Sequence, residues 1–331
     1  MPLVGEGCPT DRAIAATRQP QVAFHGYPDV FTPPIAPWWS GSETLTKHKR
    51  QDHRVAPTGK ARILRDMDPL QPLLDNLHSD GRPRVWSLVI TIFGDSVQHR
   101  GGRIETARLN KLIARLGIES GALRTALSRL SRDGWVEGQR SGRTSSYTLT
   151  PAGLEQAGPA TARIYAAPRT GPVETWCFST IAQPDALRIA GGWLTPHRRA
   201  TDGFQICGAL GSESAQAVWN NLAPSHVAAL EKTSSDVRCL EGLTLDPLDA
   251  LAARTLLIHR WRRLVLRWPE VPAELMPDTF TPGDVHAAVA AVYAHLSPAA
   301  ESWLDQAIDD TPAMPSAGPG QAKRFATLQT S

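Results

Sequence analysis

The stretch from Thr106 to Leu149 constrains what this chain can fold into more than any other. Leu109, Leu112, Ile113 and Leu116 recur at helical spacing, Thr106 can cap that helix, and Gly117 suits the left-handed residue that ends it. Ser120 can cap a second helix, with Leu123, Ala126, Leu127 and Leu130 inward and Gly134 as its stop. Two short helices joined by Gly117-Ile118-Glu119 read as a helix-turn-helix. Residues 135–139 and 144–149, separated by the polar turn Arg140-Ser141-Gly142-Arg143, read as a β-hairpin, which in this position is a wing.

On the second helix the residues turned away from the leucines are Arg124, Thr125, Ser128, Arg129 and Arg132. Arginine forks match guanine edges and phosphates, and small Thr and Ser let a helix approach the major groove. Together with Ser120 at the helix start and Arg140, Arg143 and Thr144 on the wing, they make up the expected DNA-binding set. Charge agrees with this. The 331 residues carry a net charge of only +3, yet 82–150 holds twelve Lys and Arg against five acids, a net of +7, and the rest of the chain nets −4. A basic module on a mildly acidic body is the electrostatic footprint of a DNA-binding domain joined to a sensing or dimerising one.

Other classes of function find little support. No run approaches the roughly 18 apolar residues of a membrane span, and the N-terminus has no basic region followed by an apolar core, so a cytoplasmic protein is expected. Cys8, Cys177, Cys207 and Cys239 form no C-x-x-C pair, which predicts reduced, structural thiols and no thiolate zinc site. The ten histidines include no H-E-x-x-H, and His286 and His295 read as helix-surface residues. Neither a phosphate-binding G-x-x-x-x-G-K nor a G-x-S-x-G elbow is present, so no enzyme, metal or cofactor is expected.

Residues 84–95 (Trp86-Ser87-Leu88-Val89-Ile90-Thr91-Ile92-Phe93-Gly94-Asp95 in particular) mix helical spacing with strand formers and are ambiguous alone. Together with Leu123-Arg124-Thr125-Ala126-Leu127-Ser128-Arg129-Leu130, Asp133-Gly134-Trp135-Val136 and Gly142 to Thr150, they resemble the PaaX family, repressors of phenylacetic acid degradation operons. Leu256-Leu257-Ile258-His259-Arg260-Trp261-Arg262-Arg263 and Pro272-Ala273-Glu274-Leu275-Met276-Pro277 are similar to that family's last domain. The resemblance runs from about Met67 to Leu304 and implies an α+β multidomain fold. That fold has an N-terminal winged helix-turn-helix, a central ferredoxin-like α+β domain and a helical C-terminal domain. It also implies that 84–95 is helical, that the protein is a homodimer on a palindromic double-stranded DNA operator, and that an aryl acyl-CoA such as phenylacetyl-CoA releases it.

The expected boundaries are 1–66, a proline-rich disordered extension or mis-assigned start; 67–168, the winged domain with a linker helix; 169–243, the central domain; 244–310, the helical domain; and 311–331, a flexible tail. In the central region, Trp176 to Ile181 and Gly203 to Leu210 read as strands separated by a helical Asp185 to Ile189. The family's central domain is similar to small ferredoxin-like nucleases, which need a carboxylate after the first strand. Here Ile181 is followed by Ala182-Gln183-Pro184, so nuclease activity is not expected.

Asp246, Pro247 and Asp249 start a strong C-terminal helix. Arg260, Arg263 and Arg267 form a basic stripe on it beside Trp261, Leu264 and Trp268. The stripe can meet coenzyme A phosphates, form ion pairs with the acidic body, or make a dimer contact. Two further helices, Val285 to Leu296 and Glu301 to Ile308, are expected after Asp284 and Ser297-Pro298. The functional expectation is a dimeric repressor of an aromatic catabolic operon. A non-enzymatic oligomeric binding protein whose winged helix contacts protein is the alternative.

Overall fold

The computed structural model describes residues 68–326 apart from 80, 82 and 197–202, all within the unit Val55–Ser331. The extension expected over 1–66 lies outside the described residues. Leu73, Leu74 and Leu77 bury one face of α1 (Gln71–Ser79). The ambiguous stretch after it is helical: α2 (Val85–Ile92) buries Leu88, Val89 and Ile92 and runs on into a π-helical turn, Phe93–Val97. Burial of the 3.6-residue stripe decides against the strand propensity of its Val, Ile and Thr residues.

The short strand β1 (Arg103–Glu105) leads into α3 (Thr106–Arg115) and α4 (Ser120–Arg132), and then into the hairpin β2 (Val136–Ser141) and β3 (Thr144–Leu149). The three strands form one antiparallel sheet in the order β1-β3-β2. Both expected leucine stripes are buried, and Gly117 and Gly134 take left-handed φ of 72° and 74° where their helices end. Three local expectations need correction. Glu105 and Glu119, not Thr106 and Ser120, occupy the N-cap positions, and the Thr106 hydroxyl instead donates to the Ser145 carbonyl at 2.8 Å, tying α3 to the hairpin. Arg140 lies within a strand, because Ser141 pairs with Thr144 and leaves Gly142-Arg143 as a two-residue turn.

After α5 (Pro151–Ile164), a second antiparallel sheet contains β4 (Trp176–Ser179), β5 (Leu187–Ile189), β6 (Gly192–Thr195) and β7 (Gln205–Gly208) in the order β5-β6-β4-β7. Where a helix is expected over 185–189, the chain makes a turn at Asp185 and then the strand Leu187–Ile189. Residues 180–186, which lead from β4 to β5, contain no helix, so the first connecting helix of a ferredoxin-like β-α-β-β-α-β unit is missing here, while the strand order and the antiparallel β4–β6 pairing do not depart from it. The expectation of reduced cysteines fails as well. Cys177 and Cys207 face each other across β4 and β7, with Cα atoms 4.1 Å apart, and form a disulfide, whereas Cys239 is free. A separation of 30 residues hid this adjacency until the strands were paired.

The C-terminal half is helical: α6 (Ser214–Asn221), α7 (Pro224–Leu240), α8 (Pro247–Val265) and α9 (Val285–Leu304). Every residue of α8 from Ala250 to His259 is buried, the pattern of a helix covered on all sides, and α2, α3, α5, α7 and α9 pack around it. The two helices expected over 285–308 are one, since α9 runs through Pro298, with the Ser297 hydroxyl donating to the Tyr293 carbonyl at 2.7 Å. Asp246 occupies the N-cap position of α8 without a side-chain cap bond, and Asp249 reaches Arg115 instead.

The segment after α9 is not a loose tail over its described part. Thr311 and Met314 are buried, and Arg324 donates to the Gly94 carbonyl at 2.7 Å and the Tyr293 hydroxyl at 2.8 Å. The Phe325 ring meets Tyr165 edge-on at 5.5 Å. Arg324, the Phe325 ring and the buried Met314 help to anchor a segment whose Pro, Gly and Ala residues show no periodicity.

Candidate nucleic-acid interface

Leu123, Ala126, Leu127 and Leu130 pin one side of α4 into the core, which fixes what its other side presents. Arg124, Thr125, Ser128 and Arg132 are exposed, and so is Ser120 at the start of the helix. Thr125 bonds back to the Gly121 carbonyl at 3.0 Å, which leaves the helix surface low. Arg129 behaves differently from its neighbours. Its side chain is 38% exposed, lies 3.5 Å from Asp133 and rests over the Trp86 ring of α2 at 5.8 Å. Arg132 reaches the same Asp133 at 3.4 Å but stays 74% exposed.

The hairpin projects beside this helix. Arg143 and Thr144 are exposed at its turn, where Gly142 has φ of 58°, and the Thr144 hydroxyl donates to the Ser141 carbonyl at 3.0 Å. Arg140 points outward from β2, its Nε 3.4 Å from the Gly142 carbonyl. Arg103 of β1 secures the base of the hairpin by donating to Ser146 Oγ at 2.9 Å and to Gln139. At Gly138 a β-carbon would sit 2.9 Å from the Tyr147 ring, so the strand passes that ring only without a side chain. The structure therefore brings all nine sequence-predicted residues to one helix and one hairpin, eight of them exposed.

The basic count of this region overstates its outward charge. Arg100 is 1% exposed and bridges Glu301 at 2.6 Å and Asp305 at 2.7 Å. Arg108, at 0%, donates to the carbonyls of Trp303 at 2.9 Å, Gln306 at 2.7 Å and Pro312 at 2.9 Å, at the carboxyl end of α9 where carbonyls lack helical partners. Its guanidinium also lies 4.9 Å over the Trp303 ring. Arg115 holds Asp68 at 2.7 Å and Asp249 at 2.6 Å. The signal for two of these was present in the sequence, because Arg108 and Arg115 share a helical face with Leu112.

The residues of the basic stripe at the end of α8 have different surroundings. Arg260 is ion-paired with the buried Asp236. The Trp261 indole is buried and donates to the Ile164 carbonyl at 2.8 Å, Arg263 is half-buried, and Arg267 is exposed with its guanidinium 5.1 Å over Trp268. His286, expected on a surface, is buried between Glu270 at 3.1 Å and the Ala166 carbonyl at 3.0 Å. Among the described residues no group of three or more His, Cys, Asp and Glu is placed to hold a metal, and no helix is long and apolar enough to cross a membrane.

An exposed Arg/Ser/Thr helix face stands beside an arginine-tipped hairpin, and homology supports a transcriptional repressor. Over 261 residues the chain is 27% identical to the transcriptional repressor PaaX of Escherichia coli (strain K12), covering 66% of this chain and 83% of that protein. The family model described as PaaX-like protein matches residues 84–153, and the model described as PaaX-like protein C-terminal domain matches residues 221–306, so the chain is similar to PaaX-like proteins in both of these regions. Among solved structures it is similar to the uncharacterized protein Rv0674 from Mycobacterium tuberculosis, at 19% identity and a TM-score of 0.40, over 64% of this chain and 94% of that one.

Proposed function

We propose that the chain is a non-enzymatic repressor in which α3, α4 and the β2–β3 hairpin act as a winged helix-turn-helix. In this reading α4 enters the major groove of a palindromic operator, and two copies bind as a dimer. The observation that carries it is the outward face of α4, where Arg124, Thr125, Ser128 and Arg132 are exposed over a fully buried leucine stripe. Thr and Ser keep that face low enough for close approach, and Arg supplies bidentate donors to bases or phosphates. Arg143 at the wing tip is placed for backbone or minor-groove contact. Binding should weaken steeply with salt, with a log–log slope of about −0.9 per phosphate neutralised. Anisotropy titrations between 50 and 200 mM salt check this, and an affinity indifferent to salt would remove the DNA reading.

Control of an aromatic, phenylacetate-type catabolic operon and release by an aryl acyl-CoA follow from the family. The thioester is assigned to Arg260, Trp261, Arg263 and Arg267, of which Arg267 is exposed while Arg260 and Trp261 already hold Asp236 and the Ile164 carbonyl. Phenylacetyl-CoA, and not free phenylacetate, should dissociate the complex with DNA from neighbouring promoters in a gel shift.

A further inference from the structure

Strand β7 is held by little besides its ladder to β4 and one covalent bond. It stands at the edge of the second sheet, and Phe204 before it and Ile206 within it are 61% and 58% exposed. A strand that buries so little apolar surface gains little hydrophobic stabilisation of its own. The Cys177–Cys207 disulfide joins residues directly opposite in the ladder and closes a loop, 30 residues in separation, that carries the whole β5–β6 hairpin. A cross-link of this kind acts chiefly by limiting the freedom of the opened chain.

The two ends of that bond differ. Cys177 is fully buried and Cys207 is exposed, so a thiolate from solution reaches the pair from the Cys207 side. Exposed disulfides are the ones that exchange with small thiols. Cys239, the free cysteine among the described residues, is half-buried on α7, and burial together with Asp236 pushes its thiol up and keeps it protonated, so it is a poor attacking group. A repressor works beside DNA, where glutathione-class thiols keep most cysteines reduced and disulfides are mostly transient, an argument that rests on the function proposed above.

We propose that Cys177–Cys207 is a reversible thiol–disulfide site, opened by a small thiol of the glutathione class and closed by the corresponding disulfide, with β7 as the element it releases. In opening, a glutathione thiolate attacks Cys207 Sγ and forms a mixed disulfide, while the Cys177–Cys207 bond breaks and Cys177 leaves as a thiolate that takes a proton from water. A second glutathione thiolate attacks the glutathione sulfur of the mixed disulfide, and Cys207 leaves and is protonated in the same way. One protein disulfide and two glutathiones thus give two protein thiols and one oxidised glutathione, with two electrons passing to the protein. Closing is the reverse.

The full chain, equilibrated in glutathione buffers from an oxidising, secretory-type poise to a reducing, cytosol-type one, then acid-quenched, alkylated and mapped by peptide mass, provides the test. The pair should pass from disulfide to dithiol within that range. A pair still joined at the reducing end, or open at the oxidising end, would overturn the switch. Cys177→Ser should take one glutathione onto Cys207 from oxidised glutathione, whereas Cys207→Ser should leave Cys177 unmodified, and the reverse pattern would overturn Cys207 as the sulfur attacked. Hydrogen exchange on the wild type reads the strand: amides of Gln205–Gly208 bonded to β4 should exchange about tenfold faster after reduction, with those of α8 unchanged. Equal rates in the two states would overturn β7 as the released element. None of these measurements involves DNA, so their failure is distinguishable from failure of the salt titration on the operator.

Discussion

Arg124 and Arg129 look alike on a helical wheel, yet their surroundings give them different work. Arg124 is exposed, whereas Arg129 is held between Trp86 and Asp133 and so ties α4 to α2. Arg124→Ala should cost operator affinity on the order of 1–3 kcal/mol while leaving the melting temperature in place. Arg129→Ala should lower both, since it removes a cation–π contact and an ion pair inside the module. Anisotropy titration alongside calorimetric melting separates the two, and a loss confined to DNA affinity for Arg129→Ala would contradict its packing role. The period of α4 foretold the direction of both side chains. It could not foretell that Trp86, on a separate helix, would cover one of them.

Elements with a strong period were legible and irregular ones were not. The leucine stripes of α3 and α4, the glycines that stop them and the hairpin after them follow from spacing and turn chemistry alone. The second sheet was misread at Asp185 to Ile189, because a three-residue strand is too short to show alternation and its identity comes from pairing with β6. The segment after α9 was misread because its order comes from outside itself. Arg324 donates to groups around the π turn, and its guanidinium lies 4.3 Å over the Tyr165 ring. Arg324→Ala should therefore lower the melting temperature, since it leaves Asp95 short of a partner at 0% exposure. Deletion of residues 316–331 should do little more than that substitution made together with Phe325→Ala. If the deletion proved far more damaging in a thermal melt, the anchor would lie elsewhere in the segment.

Across the molecule, the buried charges join parts that the chain keeps far apart. Asp95 in the π turn meets Arg254 of α8 at 2.9 Å and Arg324 at 3.1 Å, and Arg254 meets Glu301 of α9 at 2.7 Å. Burial alone would raise the pKa of both carboxyls. The charges of Arg254 and Arg324 outweigh it at Asp95, and the hydrogen bond from His99 with the charge of Arg254 outweighs it at Glu301, pulling that residue to about 2. A carboxylate whose folded pKa lies below its unfolded value contributes stability that is present above the unfolded value and lost as pH falls through the folded one. Stability should therefore decline from about pH 4.5 toward about 2, and Glu301→Gln should flatten that acid limb in denaturant titrations at stepped pH. A limb unchanged by the substitution would place the titration elsewhere. The inward arginines have a practical consequence of another kind. Arg108 ends on carbonyls of α9 and of the segment after it, and Arg115 ends on Asp249 of α8, so the helix-and-hairpin module finishes its own bonding with atoms of the opposite half of the chain. It is not an interchangeable part: a hybrid regulator made by splicing residues 84–153 onto a foreign effector body would strand Arg100 together with Arg108 and Arg115 against the wrong surface, and would have to import their acceptors along with them.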